Sequence, residues 1–270
     1  MDVRAGTVVV TGATSGIGLE TARILARTAR RLVVQGPEAP EAVAGALARI
    51  GDGPAEVVYV RCDYARLQDV SDAAATIAHE AGGPIDGLVN NAGVPGAEVR
   101  RVTDDGHERT LQIDYLAMAL LTEWLLGSLA DGARIVNLAS ATHEMASLDL
   151  PNLELERGYD PVRAYARSKL AIILFTRSLQ RRLPREITAV SLQPGVISTD
   201  LLHAMFASRG ASVESGAENV VAALSADASG GEYFDERRVA APSAEARDDA
   251  LAAALAEWTA AALTPYLPAR

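Results

Sequence analysis

The chain has 270 residues and a formal net charge of −10 at pH 7, and 49% of its residues are hydrophobic. This hydrophobic content is enough for one large core, and α/β sheets reach this length without dividing, so we predict a single domain over residues 1–270. The acidic charge argues against nucleic acid and anionic membrane surfaces as partners, because both are themselves negatively charged.

Cysteine content and the first residues bear on the cellular compartment. Cys62 is the only cysteine, so we expect no internal disulfide, no metal site and a buried thiol at the end of a strand. Residues 1–6 lack the pattern of a signal peptide, and the apolar run at residues 8–10 is too short to span a bilayer. These features predict a cytoplasmic protein.

Short β-branched runs alternate along the chain with longer amphipathic stretches. The predicted strands are residues 7–10, 32–35, 57–62, 85–90, 134–139, 187–193 and 232–234. The predicted helices are residues 17–29, 41–50, 67–80, 108–129, 161–183 and 250–262. Such alternation indicates parallel strands joined by helical crossovers. We therefore expect an α/β fold: a doubly wound parallel sheet of about seven strands with helices on both faces.

A glycine-rich turn lies between the first predicted strand and the first predicted helix. Its sequence is Thr11-Gly12-Ala13-Thr14-Ser15-Gly16-Ile17-Gly18. Gly12 permits a tight turn, Gly16 lets the backbone approach a pyrophosphate, and Gly18 lets the helix pack closely on the strand. The helix N-terminus supplies free N–H groups for the phosphates. A plain loop is the alternative, but the strand–turn–helix setting favours a Rossmann-type dinucleotide site.

Tyr165 and Lys169 lie four residues apart on a predicted helix, so the phenol and the ammonium project from one face. A free tyrosine titrates near about 10, and a nearby cation lowers this pKa, so that the phenol can exchange a proton with a carbonyl or an alcohol. The alternative is an exposed tyrosine beside an incidental lysine. However, Lys169 is the only lysine among 25 basic residues, and arginine is no substitute for a compact ammonium.

These motifs together resemble the short-chain dehydrogenase/reductase family. The resemblance also covers the sequence Asn90-Asn91-Ala92-Gly93 at the end of the fourth predicted strand. Residues 153–155, 158–159, 163–165 and 231–234 and the helix carrying Trp258 are similar to the retinol-dehydrogenase-like branch. The resemblance implies an NAD(P)-dependent oxidoreductase that transfers a hydride between the nicotinamide and a carbonyl or alcohol carbon.

The resemblance also implies roles for single residues. Ser140, after the fifth predicted strand, would hydrogen-bond the substrate oxygen, although a turn-capping serine is the alternative. Asp63 would contact the adenine, with a helix cap as the alternative. The remaining cofactor contacts would be Gly12, Thr14, Ser15, Gly16, Ile17, Gly18, Asn91, Ala92, Gly93, Tyr165, Lys169, Pro194, Gly195, Ile197 and Thr199.

Two positions depart from the family pattern. Asp114 stands where the family carries an asparagine that holds a relay water, and we expect it to pair with Lys169, change the tuning of Tyr165 and act as a modified relay member. The end of the second strand carries Gln35-Gly36-Pro37, with neither the carboxylate that favours NAD nor the arginine that favours NADP. The lack of a carboxylate slightly favours NADP(H). Arg31 and Arg61 are possible helpers, although an ordinary surface charge is the favoured interpretation of each.

The substrate is expected to be small to medium and apolar. Residues 200–216 would form a lid, although ordinary packing is the alternative for its apolar residues Leu201, Leu202, Met205 and Phe206. By resemblance, a homodimer or homotetramer would form through the helices carrying Asp114 and Tyr165. Two other functions remain open, a dinucleotide-dependent sensor and a non-redox enzyme that uses Tyr165 as its acid or base.

Overall fold

A single mixed sheet organises the chain. The computed structural model describes residues 2–206 and 208–268, and within them eight strands pair in the order β3-β2-β1-β4-β5-β6-β7-β8. The strands are β1 Thr7–Val10, β2 Arg31–Gly36, β3 Glu56–Arg61, β4 Ile85–Asn90, β5 Leu129–Leu138, β6 Thr188–Gln193, β7 Tyr233–Asp235 and β8 Arg238–Ala240. The strand order reverses beside β1, which places the crevice of a doubly wound sheet between β1 and β4.

All seven predicted strands are present, and β8 is an addition to them. β1 to β7 pair in parallel, whereas β8 runs antiparallel to β7, with Phe234 opposite Val239. The turn between them contains Glu236 at a φ of 56°. β8 has only three residues, too few to show a strand period, so the sequence pattern did not reveal it.

Helices cover both faces of the sheet. They are α1 Gly16–Leu25, α2 Ala44–Ile50, α3 Leu67–Glu80, α4 Arg109–Leu111, α5 Ala117–Leu125, α6 Pro161–Gln180, α7 Asp200–Met205, α8 Val213–Ser225 and α9 Asp249–Leu263. In β1, Val8 and Val10 join the core beneath α1 and α8, whereas Val9 joins the core beneath α3 and α6. Because adjacent residues of a strand face opposite sides, an unbroken apolar strand fills both cores.

The long helix predicted for residues 108–129 is wrong in detail. The structure has α4, then a π-helical segment at Gln112–Leu116, then α5, and β5 begins at Leu129. The buried Glu108 side chain caps the start by accepting the N–H groups of Thr110 (3.0 Å) and Leu111 (2.8 Å). A π segment widens the helix locally and commonly marks a functional position. Hydrophobic periodicity does not separate it from an ordinary helix.

Several helix ends also differ from the prediction. α1 ends at Leu25 and α6 at Gln180, earlier than expected, and a 3₁₀ turn at Pro40–Val43 precedes α2. Helix ends fray and carry weak sequence signals, which explains these shifts. In the part of the chain that the structure describes, none of the helices has the length and apolarity needed to cross a bilayer.

Candidate active site

The carboxyl ends of the parallel strands border one cavity of about 1030 Å³. Most of the predicted site residues line it, namely Gly12, Thr14, Ser15, Gly16, Ile17, Asp63, Asn91, Ala92, Gly93, Ser140, Tyr165, Lys169, Pro194, Gly195, Ile197 and Thr199. Gly18 and Asp114 lie behind this wall rather than on it. The strand ends thus bring together residues that are far apart in the chain.

The glycine-rich turn forms a cradle at the N-terminus of α1. Gly12 has a φ of +62°, and the Asn91 side chain donates to the carbonyls of Thr11 (2.9 Å) and Gly12 (3.1 Å). Gly18 packs directly against this carbonyl of Gly12 and the Asn91 amide. The side chain of Ser15, the N-cap, makes no capping bond, so the first N–H groups of α1 stay free. This arrangement fits a pyrophosphate.

Gln35 has a structural role at the end of β2. Its buried side chain accepts from the N–H of Gly12 (3.2 Å) and donates to the carbonyl of Cys62 (2.8 Å). It therefore ties the glycine-rich turn to the end of β3. Cys62 is buried, as predicted, and it lies just past the last residue of β3.

Glu38 lies in the cavity beside the glycine-rich turn. The Thr14 hydroxyl donates to its carboxylate (3.3 Å), and the Tyr59 hydroxyl donates to its backbone carbonyl (2.7 Å). The sequence predicted no carboxylate here, because only Gln35-Gly36-Pro37 was considered at the end of β2. Glu38 reaches the cavity because the chain turns back toward α1 after β2. Asp63 lines the cavity and also accepts from the N–H of Ala65 (2.9 Å) in the turn before α3, whose N-cap is Arg66.

The two arginines proposed as helpers occupy different places. Arg31 lies at the start of β2, away from the cavity, and pairs with Glu56 (2.7 Å) and Glu80 (3.7 Å). Its suggested role in cofactor binding is therefore wrong. Arg61 is the last residue of β3 and so lies at the edge of the sheet that borders the cavity. Its guanidinium donates to the carbonyl of Pro37 (3.0 Å).

Tyr165 and Lys169 project together from α6, as their spacing predicted. The ammonium of Lys169 lies 5.2 Å from the centroid of the Tyr165 ring and donates to the carbonyl of Leu138 (3.3 Å). Asp160 caps α6 by accepting the N–H of Arg163, which fixes where the helix begins. Ser140 lies just past the end of β5 and faces the same cavity. The three candidate catalytic groups therefore converge.

Asp114 pairs with Lys169, as expected, but from behind the cavity wall. The carboxylate is fully buried and lies 3.5 Å from the ammonium. Its oxygens also accept the N–H of Val94 (2.8 Å) and the hydroxyl of Ser168 (3.0 Å). It does not line the cavity. Asp114 is therefore placed to act through Lys169, as a positioning residue, rather than on a substrate.

Charge and burial around Tyr165 oppose each other. Burial raises the pKa of Tyr165, the ammonium of Lys169 lowers it, and the carboxylate of Asp114 raises it again, with a net upward shift. Lys169 thus acts in the predicted direction, but desolvation outweighs the cation. Burial acts to lower the pKa of Lys169, but Asp114 reverses the direction, so the lysine stays charged. Burial also raises the pKa of Asp114.

Apolar side chains form part of the cavity wall. They include Leu201, Leu202, Met205 and Phe206, together with Val94 and Ile113. Ser198 and Gly210, on either side of α7, exchange hydrogen bonds of 2.9 and 3.1 Å. Residue 207 of the predicted lid lies outside the described residues. Sequence reasoning did not identify four lining residues, because none of them belongs to a motif. They are Val94 in a loop, Arg109 in α4, Ile113 in the π-helical segment and Thr142 in a 3₁₀ turn.

Comparison with known proteins identifies the family. A family model described as short chain dehydrogenase matches residues 6–210. The chain is 38% identical to mouse (Mus musculus) polyprenol dehydrogenase over 90% of its own length and 79% of that protein. It is 36% identical to human (Homo sapiens) retinol dehydrogenase 13 over 91% of its length and 81% of that protein.

Solved structures agree with this assignment. An uncharacterised protein from Mycobacterium Paratuberculosis superposes with a TM-score of 0.80 at 31% identity, covering 97% of this chain and 95% of that one. A blue fluorescent protein from a metagenomic library, solved in complex with NADPH, superposes with a TM-score of 0.70 at 26% identity, covering 87% and 98%. The chain therefore belongs to the short-chain dehydrogenase family and is an oxidoreductase of that family.

Proposed function

We propose that Ser140, Tyr165 and Lys169 carry the chemistry of a reversible carbonyl reduction. The observation that supports this most is their convergence on one cavity that the cradle of α1 also lines. When bound, the nicotinamide supplies or accepts the hydride. The other predicted cavity residues, from Gly12 to Thr199, would hold the dinucleotide, with Gly18 supporting the cradle from behind.

Each catalytic group has one task in this proposal. Ser140 donates a hydrogen bond to the substrate oxygen and holds it beside Tyr165. The phenol of Tyr165 donates its proton to that oxygen during reduction, or takes it back during oxidation. Lys169 stays charged, lowers the pKa of Tyr165 against the effect of burial, and would hold the nicotinamide ribose.

Glu38 changes the expected cofactor preference. The preference for NADP(H) depended on the apparent lack of a carboxylate after β2, and Glu38 supplies one inside the cavity. A carboxylate there hydrogen-bonds a ribose 2′-hydroxyl and repels a 2′-phosphate. We therefore propose NAD(H) as the preferred cofactor, with Arg61 as a nearby cation that would oppose this preference.

Removing the negative charge of Glu38 tests the proposed preference for NAD(H). We expect Glu38→Gln to tighten NADPH binding at least about tenfold relative to NADH, which corresponds to about 1.4 kcal/mol. The measurement is a titration followed by nicotinamide fluorescence, with Glu41→Gln on the exposed turn before α2 as the matched control. Tighter binding of NADPH than of NADH by the unaltered protein would refute the proposal.

We propose an apolar aldehyde or alcohol as the substrate. The apolar part of the cavity wall supports this class, as do the names of the polyprenol and retinol dehydrogenases among the relatives. In this proposal residues 200–216 are the lid and residues 1–270 form one domain. Assembly into a homodimer or homotetramer and a cytoplasmic location remain predictions.

Tyr165→Phe tests the mechanism. With hexanal, decanal and all-trans-retinal as probes, the variant should lose between about a hundredfold and ten-thousandfold in kcat, because it removes the proton donor. Its affinity for NADH should stay within about twofold, and Tyr266→Phe near the C-terminus is the control. Retained turnover in Tyr165→Phe would refute the assignment. Turnover of a probe without any change in nicotinamide absorbance would favour the non-redox alternative.

A further inference from the structure

His143 is a buried histidine whose two ring nitrogens both have partners. It lies in the 3₁₀ turn Ala141–Met145 that follows Ser140, and its side chain has no exposed surface. Nδ1 lies 2.7 Å from the backbone carbonyl oxygen of Ser140. Nε2 lies 3.1 Å from the backbone nitrogen of Ser243. The ring packs against Tyr233, with 5.1 Å between centroids.

These partners determine the tautomer. The backbone N–H of Ser243 can only donate, so Nε2 must accept and carry no proton. Nδ1 then carries the proton and donates it to the carbonyl of Ser140. Burial lowers the pKa of His143, which favours the neutral ring that this arrangement requires.

The consequence for Ser140 is a fixed backbone and a directed hydroxyl. Its carbonyl accepts from both Nδ1 and the backbone N–H of His143 (3.1 Å), so the peptide group after Ser140 cannot rotate freely. Its hydroxyl oxygen accepts from the backbone N–H of Thr142 (3.2 Å). The hydroxyl hydrogen is thereby left to donate into the cavity.

The second bond of His143 joins this turn to the segment 241–248, between β8 and α9. In that segment, Glu245 accepts from the backbone N–H of Leu148 (2.6 Å), so the loop after Ser140 is held at two points. Ser243 and Glu245 lie outside residues 6–210 that match the family model. The C-terminal part of this chain is thus in direct contact with the turn that orients Ser140.

We propose that His143 is a positioning residue that aims the Ser140 hydroxyl at the substrate oxygen, and that the segment 241–248 holds His143 in place. The inference rests on the proposed role of Ser140. The bond from Nδ1 sets the position of Ser140, and the bond to Nε2 sets the position of the ring. A small displacement of a group that orients the substrate oxygen can lower the rate about a hundredfold.

Two substitutions each keep one of the two hydrogen bonds of the His143 ring and remove the other. In His143→Asn, the side-chain amide nitrogen takes the place of Nδ1 and keeps the bond to the carbonyl of Ser140. In His143→Gln, the amide reaches the place of Nε2 and keeps only the contact with Ser243. His79→Gln, at an exposed position on α3, is the matched control.

Kinetics give the first measurement. With a probe that the unaltered protein reduces, chosen from hexanal, decanal and all-trans-retinal, His143→Gln should lose about tenfold to a hundredfold in kcat. His143→Asn should lose at least about tenfold less than this. NADH affinity should stay within about twofold in both, because His143 does not line the cavity. Equal losses in both variants, or a larger loss in His143→Asn, would overturn the proposal.

NMR decides the question even if no probe is reduced or a variant is unstable. Histidine ¹⁵N spectra of the unaltered protein at pH 7 should show His143 protonated at Nδ1 and unprotonated at Nε2. A proton on Nε2 would overturn the proposal. The amides of residues 140–142 should shift and exchange faster in His143→Gln than in His143→Asn, and the reverse order would also overturn it. Absence of turnover in the unaltered protein would count against the proposed function alone.

Discussion

The environment of Tyr165 depends on one carboxylate, that of Asp114. Lys169 lowers the pKa of the phenol. Asp114 raises this pKa, because its negative charge offsets part of the positive charge of Lys169. We therefore expect Asp114→Asn to lower the pKa of Tyr165. In alcohol oxidation the deprotonated phenol is the base, so the rising limb of the kcat/KM profile should move to lower pH.

The pH profile of kcat/KM in the oxidation direction is the measurement, with the corresponding alcohols of the three probes as substrates. Asp131→Asn, an exposed position in β5, is the control for a change of charge alone. An unchanged profile in Asp114→Asn, or a shift to higher pH, would show that the carboxylate does not act on the phenol through this pair.

Single residues differed in how far the sequence could reveal them. Tyr165 and Lys169 were predictable because a spacing of four along a helix fixes their common face. The contact between Asp114 and Lys169 was predictable only by resemblance. Glu38 and His143 were missed, since each reaches its partners through a chain reversal that carries no periodic signal.

Among the structural elements, the turn between β1 and α1 is tightly packed. A Cβ on Gly18 would clash with the carbonyl oxygen of Gly12 and the side-chain amide of Asn91. We expect Gly18→Ala to lower the free energy of unfolding by about 1–3 kcal/mol, since a close-packed contact must shift. Because Gly12 forms the cradle, NADH affinity should fall as well.

Gly45→Ala is the matched control for this prediction. Gly45 lies in α2, and within the described residues no atom comes within 4 Å of the place that a Cβ would take there. Alanine at this position should therefore stabilise the protein by up to about 1 kcal/mol. Chemical denaturation gives both free energies. Equal stability of Gly18→Ala and the unaltered protein would contradict the close packing of α1 on the turn.

Elements with a strong period were predicted well, and their irregular parts were not. α3 and β4 have the predicted bounds, because each has a clear apolar pattern and the turn residues Gly82, Gly83 and Pro84 separate them. The π-helical segment that places Asp114 could not be predicted from the sequence, since it changes the backbone hydrogen-bond pattern and not the composition. β8 depends on pairing with β7 rather than on its own three residues.

For the molecule as a whole, one continuous sheet predicts one cooperative unfolding transition. The cofactor cradle uses β1, β2 and β4, which lie inside this sheet, so bound cofactor should stabilise all of it. NADH at 100 times its dissociation constant should add about 2.7 kcal/mol and raise Tm by about 5–10 °C. Calorimetry with and without NADH is the measurement. Two transitions, of which only one moves, would refute a single domain.

The sequence by itself determined the class of fold, the dinucleotide cradle and the Tyr165–Lys169 pair, because each follows from spacing along the chain. Only the tertiary structure decided the charges and contacts around them. The pKa of Tyr165 depends on burial and on Asp114, the proposed cofactor preference depends on Glu38, and the proposed aim of Ser140 depends on His143. Desolvation and hydrogen bonding depend on distances across the fold, and no local pattern in the chain records those distances.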